Sequence, residues 1–308
     1  MLNLLPPRPR YAREYAKYPL LLLFCFAALF TVRLLAKLSP TLFSSALISL
    51  FLQLAILLLP ALLFIRMRGR GYGKAIRLRR PAAAHIPLLI CAFFLLLVGG
   101  FLLSTLFGGT HTIGNSSSSF EAATPSGIWQ TLIAIPVLAL LPAICEELLF
   151  RGILCTELDR RGALRAVLVG SLLFALIHFD LANLPVYFYA GVLLTLVLYV
   201  TDSLIATMII HALYNLVSLF GQRYLNAFYS FTGNPELFLF LLILIFLAAL
   251  LFFSLLCAKN YRARAEHSIR PPRRDIPGDV QLYTMFDALS EAPVLLCFVI
   301  SVVGFIIL

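Results

Sequence analysis

Nine apolar runs, separated by short polar or basic stretches, organise this chain along its whole length. They cover approximately residues 19–37, 42–65, 82–107, 128–156, 166–179, 184–200, 203–220, 237–258 and 289–308. A helix of about 20 apolar residues crosses a hydrocarbon layer of roughly 30 Å, so each run is read as a span, the fifth and ninth being the short ones. The pattern predicts an all-α fold, a polytopic transmembrane helical bundle with about nine spans. The first run lacks a small-residue cleavage site and continues into Arg33 and Lys37, which reads as a retained span. No internal repeat and no soluble domain interrupts the series.

Composition sharpens this picture. Of 308 residues, 61% are apolar and 12% are charged, against roughly 25% charged in soluble domains, and the mean hydropathy is +0.98. A water-soluble globule, a disordered chain and a nucleic-acid module are all excluded, because each needs more charge or less apolar area. The net charge of +10 is gathered in blocks: Arg8, Arg10, Arg13 and Lys17; then Arg66 to Arg80; then Lys259 to Arg274. With a cytoplasmic amino terminus, nine crossings place the basic loops 66–81, 157–165 and 259–280 inside. The loop 108–127, which lacks Lys and Arg, falls outside. The expected setting is therefore an integral multi-pass membrane protein, in the plasma (inner) membrane if the cell is bacterial. Its basic blocks lie on anionic lipid, and no nucleic acid is a partner. Trp129, Tyr187 and Tyr189 sit near span ends and read as interfacial anchors. The six cysteines read as small buried hydrophobes, with Cys145 expected within reach of a thiol reagent.

Ionisable groups inside spans are costly and mark function. The fourth run holds Glu146, Glu147 and Arg151, the fifth ends at His178 after Phe174, and the seventh holds His211 and Asn215. Counting the 1.5 Å helical rise from each run's inner edge places Glu146 at about 16 Å, His178 at about 20 Å and His211 at about 13 Å. Three helices thus bring polar groups to similar depths. Glu146 and Glu147 point about 100° apart and cannot both face one cavity squarely. Glu147 and Arg151, spaced i, i+4, read as a neutralised structural pair, which leaves Glu146 for another role. His211 and Asn215 share a face by the same spacing. Asp180 and Asp202 read as caps or interface residues, and His85, His111 and His267 as loop residues without chemistry.

Peptide hydrolysis needs a base for water, donors for the oxyanion and an acid for the leaving amine. Glu146 can act as base and then acid, with His178 orienting the water; His211 and Asn215 can meet the oxyanion. The motifs E-E-x-x-x-R (Glu146, Glu147, Arg151), F-x-x-x-H (Phe174, His178) and H-x-x-x-N (His211, Asn215) occur in order in successive core spans. In this the chain resembles the CPBP intramembrane proteases, which include type II CAAX prenyl endopeptidases and bacteriocin-processing, Abi-like relatives. The resemblance covers residues 127–220 and implies a four-helix catalytic core between extensions of three spans (1–126) and two spans (221–308). It implies water activation by Glu146 and His178, with His211 and Asn215 near the scissile carbonyl, and a membrane-proximal peptide or lipidated protein as substrate. Glu147, Arg151 and Phe174 are then supporting residues. The family is commonly labelled a metalloprotease, and Glu146, His178 and His211 are the set a zinc ion would use. The H-E-x-x-H arrangement is absent, and a metal-free mechanism is favoured. Two rivals remain open: an ion-coupled transporter, for which Pro136 and Pro142 would break span four, and a non-catalytic scaffold or immunity protein.

Overall fold

A computed structural model of the chain describes residues 17–39, 45–69, 71–107, 128–266 and 278–308. Every regular element among these residues is a helix. Six helices are long and apolar enough to cross a membrane: α1 (Tyr18–Leu38), α2 (Ile48–Arg68), α3 (Ala83–Leu106), α4 (Thr131–Asp159), α6 (Leu184–Thr201) and α9 (Pro235–Arg262). Between them lie the shorter apolar helices α5 (Ala163–Leu176) and α7 (Leu204–Phe220) and the peripheral α8 (Gln222–Thr232). The ninth run is not one straight helix. α10 (Gly278–Leu289) and α11 (Ala292–Ile307) meet at a 69° bend and make a seventh crossing only if taken together. Pro293, in the first turn of α11, has no N–H to continue α10 and a backbone suited to starting a new helix. The loop 108–127, Arg8, Arg10, Arg13, Arg70, His111, His267, the basic residues 270–274 and the side chains of Trp129 and Arg264 lie outside what the structure describes.

The long helix α4 passes Pro136 and Pro142 without a break. An interior proline removes a hydrogen bond and collides with the preceding turn. Here the backbone widens into π-helical turns at Ile135–Leu140 and Leu148–Leu154, with Leu141 N–H bonding to the Pro136 carbonyl and Cys155 N–H to that of Phe150. These turns flank Glu146 and Glu147, a placement common for π-turns at functional sites.

α5 packs on α6, α9 on α3, α7 on α4, and α1 on α11. One apolar core runs through α1, α4, α5 and α11, joining Phe26, Leu149, Phe174 and Cys297. Only 17% of the apolar window of α9 is buried in the protein, so its flank needs lipid for cover. The protein is an integral multi-pass helical membrane protein. Close approach of α5 and α6 depends on Gly191, where an added Cβ would lie 2.8 Å from Ser171 Cα and 2.6 Å from its Cβ. Backbone cannot yield there, so Gly191→Ala should lower stability by about 1–3 kcal/mol. Gly73→Ala, which meets nothing within 4 Å, should be neutral in the same detergent melting assay.

In the basic segment after α2, three cations are paired with acids rather than left for lipid headgroups, while Arg66, Lys74 and Arg80 stay exposed. Arg68 pairs with Glu157 at 2.8 Å, Arg77 with Asp159 at 2.9 Å and with Asp202 at 3.2 Å, and Arg79 with Asp202 at 2.5 Å. Asp202 is thus a docking point for this loop as well as the left-handed end of α6. Tyr72 donates to Glu157 at 2.8 Å, and burial beside that carboxylate pushes its phenol far above the ordinary range. Burial alone would weaken the Arg77 guanidinium, but Asp159, Tyr199 and Asp202 carry its pKa upward. The loop is latched onto the ends of α4, α6 and α7, with Leu204 N–H bonding to the Arg77 carbonyl.

Candidate active site

Glu146 leaves α4 toward α5 and α7. Its Oε2 lies 3.9 Å from Nε2 of His178 and 3.9 Å from Nε2 of His211. These distances exceed a direct hydrogen bond. A cavity of about 50 Å³ adjoins the cluster, lined by Glu146, His178, Arg33, Gln53, Phe150 and Leu29 among others. That volume holds water, which needs polar partners and roughly 10–15 Å³.

Each imidazole is oriented by its other nitrogen. His178 Nδ1 lies 2.8 Å from the Phe174 carbonyl, and His211 Nδ1 lies 2.8 Å from Glu147 Oε1. Both partners only accept, so both Nδ1 atoms carry hydrogen and both Nε2 atoms face Glu146. The 100° angle between the adjacent glutamates therefore has a use that the sequence did not display. Glu147 and Glu146 address opposite nitrogens of the same His211 ring.

Glu147 is wholly buried and also accepts from Arg151 Nη1 at 2.8 Å, the i, i+4 pair expected from spacing. Arg151 Nη2 donates to the Gly191 carbonyl at 3.4 Å, and the guanidinium stacks 4.1 Å from the Phe174 ring centroid. Phe174 is more than core filling. Its ring also meets His178 edge-on at 5.0 Å, His211 at 6.1 Å and Phe150 at 5.2 Å, while its carbonyl holds His178. Asn215 sits one turn beyond His211, with Nδ2 donating to the Ala139 carbonyl at 3.3 Å in the first π-turn of α4. It ties α7 to the Glu146 helix.

Three expectations need correction. α5 ends at Leu176, so His178 lies on the turn beyond the helix rather than within it. Tyr187 is not simply an interfacial anchor: its ring stacks on His178 at 3.8 Å with planes 15° apart. The tight connection between α5 and α6 folds Tyr187 back over His178, and Asp180, which accepts from Asn183 N–H and Nδ2, shapes that connection. Tyr189 likewise points inward, donating to the Leu95 carbonyl at 2.8 Å. Cys145 is fully buried, which removes it from the reach of aqueous thiol reagents.

Two imidazoles and a carboxylate are donor types of hydrolytic zinc sites. Metal bonds of about 2.0–2.2 Å on a tetrahedron would hold adjacent donors about 3.4 Å apart, less than the 3.9 Å separations here. Among the described residues, no three His, Cys, Asp or Glu side chains are arranged to hold a metal ion. As placed, the residues do not fit a closed zinc site.

Buried acid, paired imidazoles and adjoining cavity, set within a multi-span helical body, are the equipment of an intramembrane hydrolase. Residues 128–217 match the family model described as type II CAAX prenyl endopeptidase Rce1-like. The chain is 27% identical over 180 residues to the membrane-embedded CAAX protease MroQ of Staphylococcus aureus (strain USA300), an alignment covering 54% of this chain and 71% of that protein. No solved structure matches. Both similarities support the CPBP family of intramembrane proteases for the segment around residues 128–217.

Proposed function

We propose that the chain hydrolyses a peptide bond in a membrane-associated, lipid-bearing substrate, with Glu146 and His178 activating water and His211 and Asn215 stabilising the oxyanion. The observation that carries this reading is the convergence of two imidazole Nε2 atoms on one carboxylate oxygen at 3.9 Å each, beside a cavity that admits water. A water held there donates one hydrogen to Glu146 Oε2 and the other to His178 Nε2, which frees a lone pair for the carbonyl carbon. Glu146 takes the proton and returns it to the leaving amine. His211 contributes an Nε2–H to the developing oxyanion when it carries its second proton, and the Glu147 carboxylate faces the resulting positive charge. Asn215 Nδ2 exchanges the Ala139 carbonyl for the same oxyanion.

Two features favour a lipidated substrate. MroQ is named a CAAX protease, and a groove of about 670 Å³ runs between α3 and α7, lined by Ile86, Ile90, Phe93, Phe94 and Ile210 among other apolar residues. Its size falls in the range of ligand pockets. The continuous course of α4 past both prolines counts against the transporter alternative.

The test uses the full chain in lipid nanodiscs with two internally quenched peptides, one ending in a farnesylated cysteine followed by three residues and one unlipidated. Cleavage of the first, unchanged by o-phenanthroline and without stoichiometric zinc in the protein, is the expected result. Loss of activity on chelation with recovery on added zinc would replace the water-only mechanism. Ion flux in liposomes without cleavage would replace the peptidase itself.

A further inference from the structure

The turn that carries His178 is held from outside the segment that matches the family model. Phe179 follows at φ +52°, a left-handed conformation unusual for an aromatic residue, which persists only where neighbours over-determine it. α1 and α11 supply those neighbours. Arg33 Nη1 donates to the His178 carbonyl, and its guanidinium lies 5.6 Å from the Phe179 ring centroid. Phe26 and Phe30 meet the same ring edge-on at 6.2 and 6.0 Å. From α11, Ser301 Oγ donates to the Leu176 carbonyl at 3.3 Å. A Cβ added at Gly304 would lie 2.5 Å from Phe179 Cδ1 and 3.2 Å from its Cβ. The two helices also pack on each other, and Arg33 shares the cavity wall with Glu146 and His178.

We propose that Arg33 is a positioning residue for His178, and that α1 and α11 together form a clamp fixing this imidazole against Glu146. The proposal rests on the reading of Glu146 and His178 as the water-activating pair. With Nδ1 tied to the Phe174 carbonyl and the ring stacked on Tyr187, displacement of the backbone at 178 changes the 3.9 Å gap that water must bridge. Misplacement by about 1 Å at a reacting centre can cost about a hundredfold. The loss falls on kcat, because Arg33 holds protein rather than substrate.

Kinetics with the farnesylated quenched peptide in nanodiscs test this. Arg33→Met should lower kcat about ten- to a hundredfold with KM within about twofold. Arg33→Lys, which keeps a cationic N–H donor for the carbonyl, should recover most of that loss. Gly304→Ala, acting from α11 on the pinned Phe179 ring, should lower kcat in the same direction. Both Arg33 variants should melt close to the parent in detergent, whereas Gly304→Ala, whose Cβ would lie 2.5 Å from the held Phe179 ring, should also melt lower. Parental kcat in Arg33→Met overturns the proposal. So does a raised KM at constant kcat, which would make Arg33 a substrate-binding group, and so do equal losses in the Met and Lys variants accompanied by lowered melting. A parent protein that cleaves no probe sinks the peptidase reading and this proposal with it; a cleaving parent with an indifferent Arg33→Met sinks the proposal alone.

Discussion

Replacing Glu146 with Gln is expected to reduce kcat on the farnesylated peptide by about 10³-fold or more while leaving the protein inserted and melting like the parent. General acid and base steps each contribute roughly 10²–10⁴-fold, and Glu146 is asked to perform both. The amide is close in size and shape to the carboxylate. It cannot take the water proton, and its NH₂ turned toward either Nε2 would occupy the place of the water hydrogen. Stability should be nearly unaffected, because among the described residues Glu146 comes no nearer than 3.9 Å to either imidazole. A Glu146→Gln protein that keeps more than about a tenth of parental kcat would remove the water-activating role from this residue. Comparing peptides in cells carrying the parent and the variant would then identify natural substrates by their disappearance.

Much of this cluster was legible in the one-dimensional pattern, and the reason is geometric. Span edges are set by polar residues and helical rise is constant, so depth can be counted, and Glu146 and His178 do converge with His211 as that counting implied. The Glu147–Arg151 pair also follows from an i, i+4 relation within one helix. What stayed hidden depends on contacts between elements. Nothing in the spacing of Phe174 shows that its ring touches Arg151, His178 and His211 at once, because those contacts need the mutual packing of α4, α5 and α7. Tyr187 lies at a span end, the usual place of an interfacial anchor, yet the short turn before α6 brings that end over His178. The pairing of Arg68, Arg77 and Arg79 with acids far along the chain was equally invisible, since charge counting treats loop cations as free. The π-turns escaped for a different reason: prolines announce a disturbance in a helix but not whether it breaks or widens.

Arg151→Met is expected to destabilise the protein by about 3–5 kcal/mol, the penalty typical of removing one partner from a buried ion pair. Arg151 is 1% exposed and Glu147 0%, so water cannot replace the guanidinium, and Glu147 would keep only the neutral donors His211 Nδ1 and Thr207 among the described residues. The stack on Phe174 and the bond to the Gly191 carbonyl are lost as well. Thermal melting in detergent reads this directly. Adding Glu147→Leu to Arg151→Met removes the stranded carboxylate and should restore part of the stability, because replacing both members of a buried pair with apolar groups is often near neutral. Activity should not return with it. His211 then lacks the acceptor that orients its ring, and misplacement by about 1 Å at a reacting centre can cost about a hundredfold. Stability and catalysis therefore part company in the double variant only if Glu147 serves both. Recovery of kcat along with melting temperature would reduce the second glutamate to a neutralised structural contact, and Glu146 would have to act on a ring held by other means.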